Sequence, residues 1–186
     1  GFIGSHVCEE IYKQFPKSKI IIFDKLTYAG KKEYVESIIK SSRVKFVKGD
    51  IIKHATYSSI LKDVDLAINV AAESHVDNSW QAPLSFSNTN TLGAHTFLLK
   101  CIETKVKKII HISTDEVYGE KIEGSCKESD RIEPTNPYSA SKAAAEIFIN
   151  SYKYSYKQEI VTVRANNIYG IRQYPEKLIP RCIINL

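Results

Sequence analysis

The sequence has few cysteines, and they are far apart. Cys8, Cys101, Cys126 and Cys182 form no Cys-x-x-Cys pair, and the five histidines lack the spacing of metal ligands. This pattern favours reduced thiols over a disulfide framework and predicts no metal site. No apolar run approaches the roughly 18 residues of a membrane helix, and no signal-peptide pattern opens the chain. We therefore expect a cytoplasmic protein that does not contact a membrane.

The chain also lacks a dense basic block. Its 26 lysines and arginines exceed its 21 aspartates and glutamates, which gives a formal charge of +5, but the lysines are scattered. A dispersed excess is typical of a solvated surface, so we do not expect nucleic-acid binding. With 186 residues, 43% of them hydrophobic and 25% charged, the composition is that of a soluble globular protein with one sizeable core.

Short β-branched runs alternate with helical patterns along the chain. The predicted strands are Ile20–Phe23, Val44–Val47, Leu66–Ala71, Ile109–Ile112 and Ile160–Val163. The predicted helices lie near Ser5–Phe15, Lys32–Lys40, Thr56–Lys62, Pro83–Thr104 and Pro137–Tyr156. This alternation predicts an α/β protein with a doubly wound parallel sheet, covered by helices on both faces.

The two ends of the chain are abrupt. Gly1-Phe2-Ile3-Gly4 has no strand before it, although such a glycine turn normally follows one, and Ile183–Leu186 lies inside a helical pattern. We therefore expect a fragment that lacks the first, central strand. A sheet without that strand would expose the edges of its neighbours, which predicts an unstable isolated chain.

A glycine turn and an aspartate indicate a dinucleotide site. Gly1 and Gly4 open a helix whose first N–H groups and dipole favour a pyrophosphate. Asp24 ends a strand twenty residues after Gly4, where a carboxylate binds a ribose 2′-hydroxyl and repels a 2′-phosphate. NAD is therefore favoured over NADP. Asp50 is a candidate adenine contact, and Ala71-Ala72 offers small side chains where backbone could approach the cofactor.

A tyrosine and a lysine lie four residues apart on the predicted helix after the fourth strand. Tyr138 and Lys142 therefore project from one helix face, and Asn136 before Pro137 is a suitable N-cap. A lysine ammonium can stabilise a phenolate, which could then remove an alcohol proton during hydride transfer. Thr114 closes the fourth strand, where its hydroxyl could hold the same substrate oxygen.

Two adjacent carboxyl groups follow that threonine. Asp115 and Glu116 could serve as the acid and the base that elimination of water requires. From physics alone, a solvated acidic turn remains the alternative.

These residues resemble the motifs of the dTDP-glucose 4,6-dehydratases, in the extended short-chain dehydrogenase/reductase superfamily. The most specific match is Ile112–Gly119, which contains Thr-Asp-Glu and is followed by Tyr138–Lys142. Further matches are Asp24–Gly30, Ala71–Asp77 and Tyr174–Pro180. The resemblance covers essentially the whole chain. It implies a partial Rossmann-type, NAD-binding domain over residues 1–186, with a substrate-binding lobe that begins near residue 167 and is mostly missing.

The resemblance also implies a role for each catalytic residue. Tyr138 would take the proton of the sugar 4-hydroxyl, Thr114 would orient that oxygen, and Lys142 would lower the Tyr138 pKa and hold the nicotinamide ribose. Glu116 would remove the C5 proton while Asp115 protonates the departing 6-hydroxyl. The implied cofactor contacts are Gly1, Phe2, Ile3, Gly4, Asp24, Lys25, Thr27, Gly30, Asp50, Ile51, Ala71, Ala72, Tyr138 and Lys142. The implied substrate contacts are Ser74, His75, Thr114, Asn167, Glu176, Lys177 and Leu178.

The resemblance leaves the nucleotide and the exact reaction open. Asn166–Ile171 differs from the bacterial S-N-N-Y-G-P and is closer to eukaryotic-type dehydratases, some of which use UDP-glucose. A UDP-sugar epimerase or decarboxylase is a rival, although those enzymes usually have a small residue where Asp115 stands. A noncatalytic nucleotide-binding protein is the rival of a different class. The family is commonly dimeric, which implies a homodimer through the helices near 83–104 and 137–156.

Overall fold

Parallel strands alternate with helices through the whole chain. The computed structural model describes residues 1–186. The strands are β1 Ile20–Asp24, β2 Val44–Lys48, β3 Leu66–Asn69, β4 Lys108–Thr114 and β5 Glu159–Ala165. The α-helices are α1 Phe2–Gln14, α2 Glu36–Ile39, α3 Val76–Gln81, α4 Pro83–Phe86, α5 Ala94–Glu103, α6 Pro137–Tyr156 and α7 Leu178–Ile184. No helix combines the length and the apolar character needed to cross a membrane.

The chain divides into two compact units. The smaller unit comprises residues 1–50 and 167–186, and the larger unit comprises residues 51–166. In the smaller unit β1 pairs in parallel with β2, and in the larger unit β4 lies between β3 and β5, again in parallel. The strands thus form two hydrogen-bonded sheets, in which β1 and β3 each have a single partner strand.

Each unit has its own apolar core. In the smaller unit the core consists of Val35, Ile38 and Val44, against which α1 and β1 pack partly buried side chains. In the larger unit Leu98 and Ile149, from α5 and α6, are fully buried together with Ile109 of β4. This is the packing expected of a parallel sheet covered by helices, because such strands must bury apolar side chains.

Most predicted elements are confirmed, but the helix predicted near Thr56–Lys62 is wrong. The structure has only a 3-10 turn at His54–Thr56, followed by further turns. The hydroxyls of Thr56 and Ser58 donate to the carbonyls of Lys53 and His54, and side-chain bonds of this kind compete with regular helix formation.

Two other predicted helices are interrupted. The segment predicted near Lys32–Lys40 is a 3-10 turn at Lys32–Val35 followed by the single turn of α2. The long helix predicted over Pro83–Thr104 consists of α4, a π-helical stretch at Ser87–Gly93, and α5. Helix α6 matches its predicted bounds.

Candidate active site

The smaller unit places an aspartate beside the start of α1. Gly1 is the N-cap of this helix and contributes no side-chain cap, so the first-turn N–H groups have no acceptor within the helix. Asp24, at the end of β1, has Oδ2 3.1 Å from the amino nitrogen of Gly1, and its Oδ1 accepts a hydrogen bond of 2.7 Å from the Leu26 N–H. A carboxylate thus lies next to a set of backbone N–H donors.

The loop after β1 folds tightly against Asp24. Gly30 N donates to the Thr27 carbonyl at 3.0 Å, and a Cβ on Gly30 would meet Asp24 Oδ1 at 3.0 Å. Lys25 Nζ pairs with Asp50 Oδ2 at 2.8 Å. The predicted cofactor contacts Asp24, Lys25, Thr27, Gly30 and Asp50 therefore lie together in this unit. Of the remaining predicted cofactor contacts, Ile51 is buried in the larger unit, while Ala71 and Ala72 are exposed there after β3.

Residues 172–176 of the smaller unit are hydrogen-bonded to α1 and to the loop after β1. Arg172 forms two hydrogen bonds with the Glu9 carboxylate, at 2.8 and 2.9 Å. Tyr28 donates its hydroxyl proton to Glu176 Oε1 at 3.0 Å and packs edge-on against the Tyr174 ring. Among the predicted substrate contacts, Glu176 thus has a partner in the β1 loop.

The other predicted substrate contacts of this segment differ in their exposure to solvent. Asn167 and Leu178 are exposed, and Lys177 precedes the first residue of α7.

In the larger unit the Thr-Asp-Glu triplet forms one turn at the carboxyl end of β4. Thr114 Oγ1 accepts from the Glu116 N–H and donates to Asp115 Oδ1, both at 3.3 Å. Asn136 Nδ2 donates to Glu116 Oε2 at 3.2 Å. The two carboxylates therefore have different hydrogen-bond partners, which is the condition for giving them different chemical roles.

Tyr138 is buried beside this turn. Its hydroxyl hydrogen-bonds with the side chain of Thr114, and the residue is 9% exposed. Burial raises the pKa of Tyr138 to about 12, although the hydrogen bond with Thr114 opposes the rise. The nearby carboxylates of Glu116 and Asp115 raise this pKa further, because they disfavour a phenolate.

Lys142 is also buried, one helical turn after Tyr138. Its Nζ donates to the Ile112 carbonyl, and burial lowers the pKa of Lys142 to about 8. The sequence predicts a lowered pKa for Tyr138, but in this structure the pKa of Tyr138 is raised. The physical reason is that desolvation and two carboxylates dominate around the phenol, while the ammonium of Lys142 is directed to a backbone carbonyl.

The segment after β3 is held by a buried asparagine. Asn90, in the π-helical stretch, accepts from Glu73 N at 2.8 Å, and its amide donates to the Glu73 carbonyl and to Ser141 Oγ, both at 2.9 Å. Ser74 is exposed, and the His75 ring caps α3 by accepting from Asn78 N at 3.4 Å. The backbone of Glu73, directly before the predicted substrate residues Ser74 and His75, is thus held by the side-chain amide of Asn90.

Sequence reasoning missed several polar residues that surround these groups. Asn136 was predicted only as an N-cap, which the capping box with Ser139 confirms, but it also contacts Glu116. Glu146 lies four residues after Lys142 on the same helix face, and this spacing was a signal that could have revealed it. Asn90 and Arg164 carry no comparable signal, because their partners come from distant parts of the sequence.

The order of elements, the glycine turn and the Thr-Asp-Glu and Tyr-Lys sets agree with one known family. Residues 1–186 match the family described as GDP-mannose 4,6 dehydratase. The chain belongs to this family. Its Rossmann-type fold is also that of a solved dTDP-glucose 4,6-dehydratase double mutant from Streptomyces venezuelae with NAD and DAU bound. The two share 38% identity with a TM-score of 0.95, over 100% of this chain and 59% of that one.

Curated relatives of the family include enzymes for two nucleotides. A dTDP-D-glucose 4,6-dehydratase of Dictyostelium discoideum is 43% identical over 98% of this chain and 45% of its own length. A trifunctional UDP-glucose 4,6-dehydratase, 3,5-epimerase and reductase of Arabidopsis thaliana is 40% identical over 99% of this chain and 28% of its own length. The chain therefore spans less than two thirds of the proteins that it matches.

Proposed function

We propose that the full-length protein carrying this chain is an NAD-dependent lyase that converts dTDP-glucose to dTDP-4-keto-6-deoxyglucose. The observation that carries this proposal is the turn at the end of β4, where Thr114 contacts both Asp115 and Tyr138. The phenol that would take the alcohol proton and the neighbouring carboxyl groups are thereby connected through the hydroxyl of Thr114. A 4-epimerase needs no acid for a leaving 6-hydroxyl, so Asp115 argues against that rival.

The side chains divide the reaction between them. Tyr138 in its phenolate form accepts the proton of the sugar 4-hydroxyl, and its raised pKa makes that phenolate a strong base. Thr114 holds the same oxygen. Glu116 then takes the C5 proton, which the adjacent 4-ketone makes acidic, and Asp115 gives a proton to the departing 6-oxygen, which leaves as water. When hydride is returned to C6, Glu116 gives its proton back to C5, so the product keeps its C5 hydrogen. The separate hydrogen-bond partners of the two carboxylates favour this division of roles.

The smaller unit offers donors and acceptors that fit NAD. The first N–H groups of α1 suit a pyrophosphate, and the Asp24 carboxylate suits a ribose 2′-hydroxyl and would repel the 2′-phosphate of NADP. Gly1 and Gly4, at the start of α1, carry no side chain that would block the approach of a ligand to the backbone. When bound, NAD supplies the acceptor for the C4 hydride and the donor that returns it to C6.

A second candidate substrate is UDP-glucose. The Arabidopsis relative whose description includes UDP-glucose 4,6-dehydratase supports it, as does the Asn166–Ile171 segment, which departs from the bacterial pattern. In either case the nucleotide-sugar would be contacted by a lobe that begins near residue 167. The contacting residues would be Asn167, Glu176, Lys177 and Leu178. Ser74 and His75 would line the sugar side of the cleft.

The proposal extends to the assembly and its location. Ile147 and Tyr154 on α6 and Leu92 in the π-helical stretch are exposed apolar side chains. A homodimer that packs these helices against those of a second copy would bury them. Light scattering of the full-length protein tests the dimer. The four free cysteines favour a reducing, cytoplasmic location, which imaging of the tagged protein tests.

The experiment compares turnover of dTDP-glucose and UDP-glucose by the full-length protein and by two variants. Wild type should form a keto-deoxy sugar without net release of reduced nicotinamide. Tyr138→Phe should prevent reduction of the bound nicotinamide, whereas Glu116→Gln should allow it and stop before loss of water. Tyr156→Phe, at an exposed tyrosine at the end of the same helix, is the control and should match wild type.

Two results would contradict the role assignments. Turnover by Tyr138→Phe at the wild-type rate is one. Loss of the reduced-nicotinamide signal in Glu116→Gln is the other, because that carboxylate is assigned to the step after oxidation. If wild type instead acts on UDP-glucose alone, the second candidate replaces the first.

A further inference from the structure

A buried ion pair lies behind the Thr-Asp-Glu turn. Glu146 on α6 is 2% exposed, and its carboxylate accepts from Arg164 of β5 through both oxygens. The distances are 2.7 Å from Nη2 to Oε2, 3.1 Å from Nε to Oε2 and 3.2 Å from Nε to Oε1. A two-point contact of this kind fixes the relative orientation of the two side chains as well as their separation.

Both partners of the pair also bind residues that flank the turn. Ser113, immediately before Thr114, donates its hydroxyl proton to Glu146 Oε1 at 2.5 Å. Arg164 Nη1 donates to the Tyr118 hydroxyl at 2.6 Å, and the guanidinium lies 4.6 Å from the centre of that ring. Tyr118 is the last residue of the 3-10 turn that contains Asp115 and Glu116. The chain is therefore held on both sides of the turn by one charged pair.

The pair is also connected to the lysine of the site. Glu146 follows Lys142 by one helical turn, and its negative charge raises the pKa of Lys142 against the larger lowering caused by burial. The Glu146 carboxylate thus favours the charged form of Lys142 and also helps to hold the turn in position.

We propose that Glu146 and Arg164 are positioning residues, whose ion pair fixes the Thr114-Asp115-Glu116 turn through Ser113 and Tyr118. Neither residue is assigned contact with substrate. This inference rests on the proposed dehydratase function, because it gives the pair a purpose in that reaction. A displacement of the turn by about 1 Å can lower a rate on the order of 100-fold, so an arrangement that holds both of its sides has a direct catalytic consequence.

The test is Glu146→Gln in the full-length protein, because glutamine keeps the size of the side chain and removes its charge. The single-turnover rate of sugar oxidation should fall about 10- to 100-fold, with little change in KM. The reason is that the substitution displaces the reacting groups but removes no contact with the substrate. Glu159→Gln is the matched control. It breaks an exposed ion pair with Lys108, 2.6 Å long, between β4 and β5, and should leave the rate unchanged.

A second variant covers the case in which Glu146→Gln does not fold. The double variant Glu146→Gln with Arg164→Gln leaves no unpaired buried charge, which is the main reason that removal of one partner alone is destabilising. It should show the same loss of rate with unchanged KM. A wild-type oxidation rate in either folded variant would overturn the proposal.

A crystal structure separates this proposal from the proposed function. In the full-length Glu146→Gln variant the backbone of Thr114–Glu116 should shift by more than the roughly 0.5 Å that a catalytic arrangement tolerates. If the turn keeps its wild-type position, the positioning role is refuted, whatever the enzyme acts on. If the turn shifts and wild type oxidises no nucleotide-sugar, the positioning stands and the proposed function fails.

Discussion

His111 should make the stability of the protein depend on pH. Its ring lies in β4 and is 1% exposed. The Asn69 amide oxygen accepts from Ala71 N at 3.2 Å, so the amide nitrogen must donate to His111 Nδ1, also at 3.2 Å. The ring is therefore neutral, with its proton on Nε2. Protonating Nδ1 would place two donors against each other in a buried site.

The size of the effect follows from the shift in proton affinity. Burial, and to a smaller extent the charge of Lys142, lowers the pKa of His111 from 6.5 to about 3. Between these values the unfolded chain binds a proton that the folded protein does not, so stability falls as the pH falls. Each pH unit corresponds to about 1.4 kcal/mol, so acidification from pH 6.5 to about pH 5 should cost about 2 kcal/mol.

The assay is urea unfolding of the full-length protein at a series of pH values between about 8 and 5. Replacement of His111 by glutamine keeps an acceptor for Asn69 and removes the titrating group, so the pH slope should flatten by up to about 1.4 kcal/mol per unit. His54→Gln, at an exposed position, serves as the control and should retain the wild-type slope. An unchanged slope in His111→Gln, or an equal flattening in His54→Gln, would refute the reasoning.

Three glycines give further predictions, all measured by urea unfolding. Gly119 has φ 79° and ψ −165°, a region reserved for glycine, and a Cβ there would collide with the Glu133 carbonyl, so Gly119→Ala should cost about 3 kcal/mol or more. Gly124→Ala, with φ 80° but open space around it, should cost about 1 to 2 kcal/mol, and an equal loss in both would rule out the collision. In Gly93→Ala the new Cβ would lie 2.6 Å from Ile51 Cγ2, so the variant should lose about 1 to 2 kcal/mol. Combining it with Ile51→Ala should cost less than the sum of the single changes, whereas strict additivity would show that the two side chains do not compete for space.

The local parts of the fold could be predicted from the sequence. The five strands were recognisable as short β-branched runs, and Asn136 followed by Pro137 marked the start of α6 correctly. Those signals are short-range, because strand preference and helix capping depend on neighbouring residues. The grouping of Asp24 with the glycine turn could likewise be expected. Asp24 lies at the carboxyl end of a parallel strand, and the glycines open the helix beside that strand.

The interruptions of helices could not be predicted in this way. The π-helical stretch at Ser87–Gly93 occurs where Asn90 reaches across to Glu73 and Ser141. Nothing in the local pattern distinguishes this segment from an ordinary amphipathic helix, because the cause is a tertiary contact with residues 17 and 51 positions away. Local insertions of this type often lie at functional sites. The same argument applies to the Tyr138 pKa, which depends on burial rather than on the lysine four residues later.

The candidate site is organised by buried and half-buried polar residues that belong to no sequence motif. Asn90 fixes the Glu73 backbone to α6, Asn136 joins the start of α6 to Glu116, and Glu146 joins the middle of α6 to Ser113 and Arg164. Each would be costly to bury alone, and each is satisfied only when α6 has one position against β4. The apolar core alone would accept small shifts between a helix and a sheet, since packing forces are not directional. The hydrogen bonds would not. For that reason the geometry of Thr114, Tyr138 and Lys142 follows from the polar contacts on α6, and the motif supplies the reacting groups without determining where they stand.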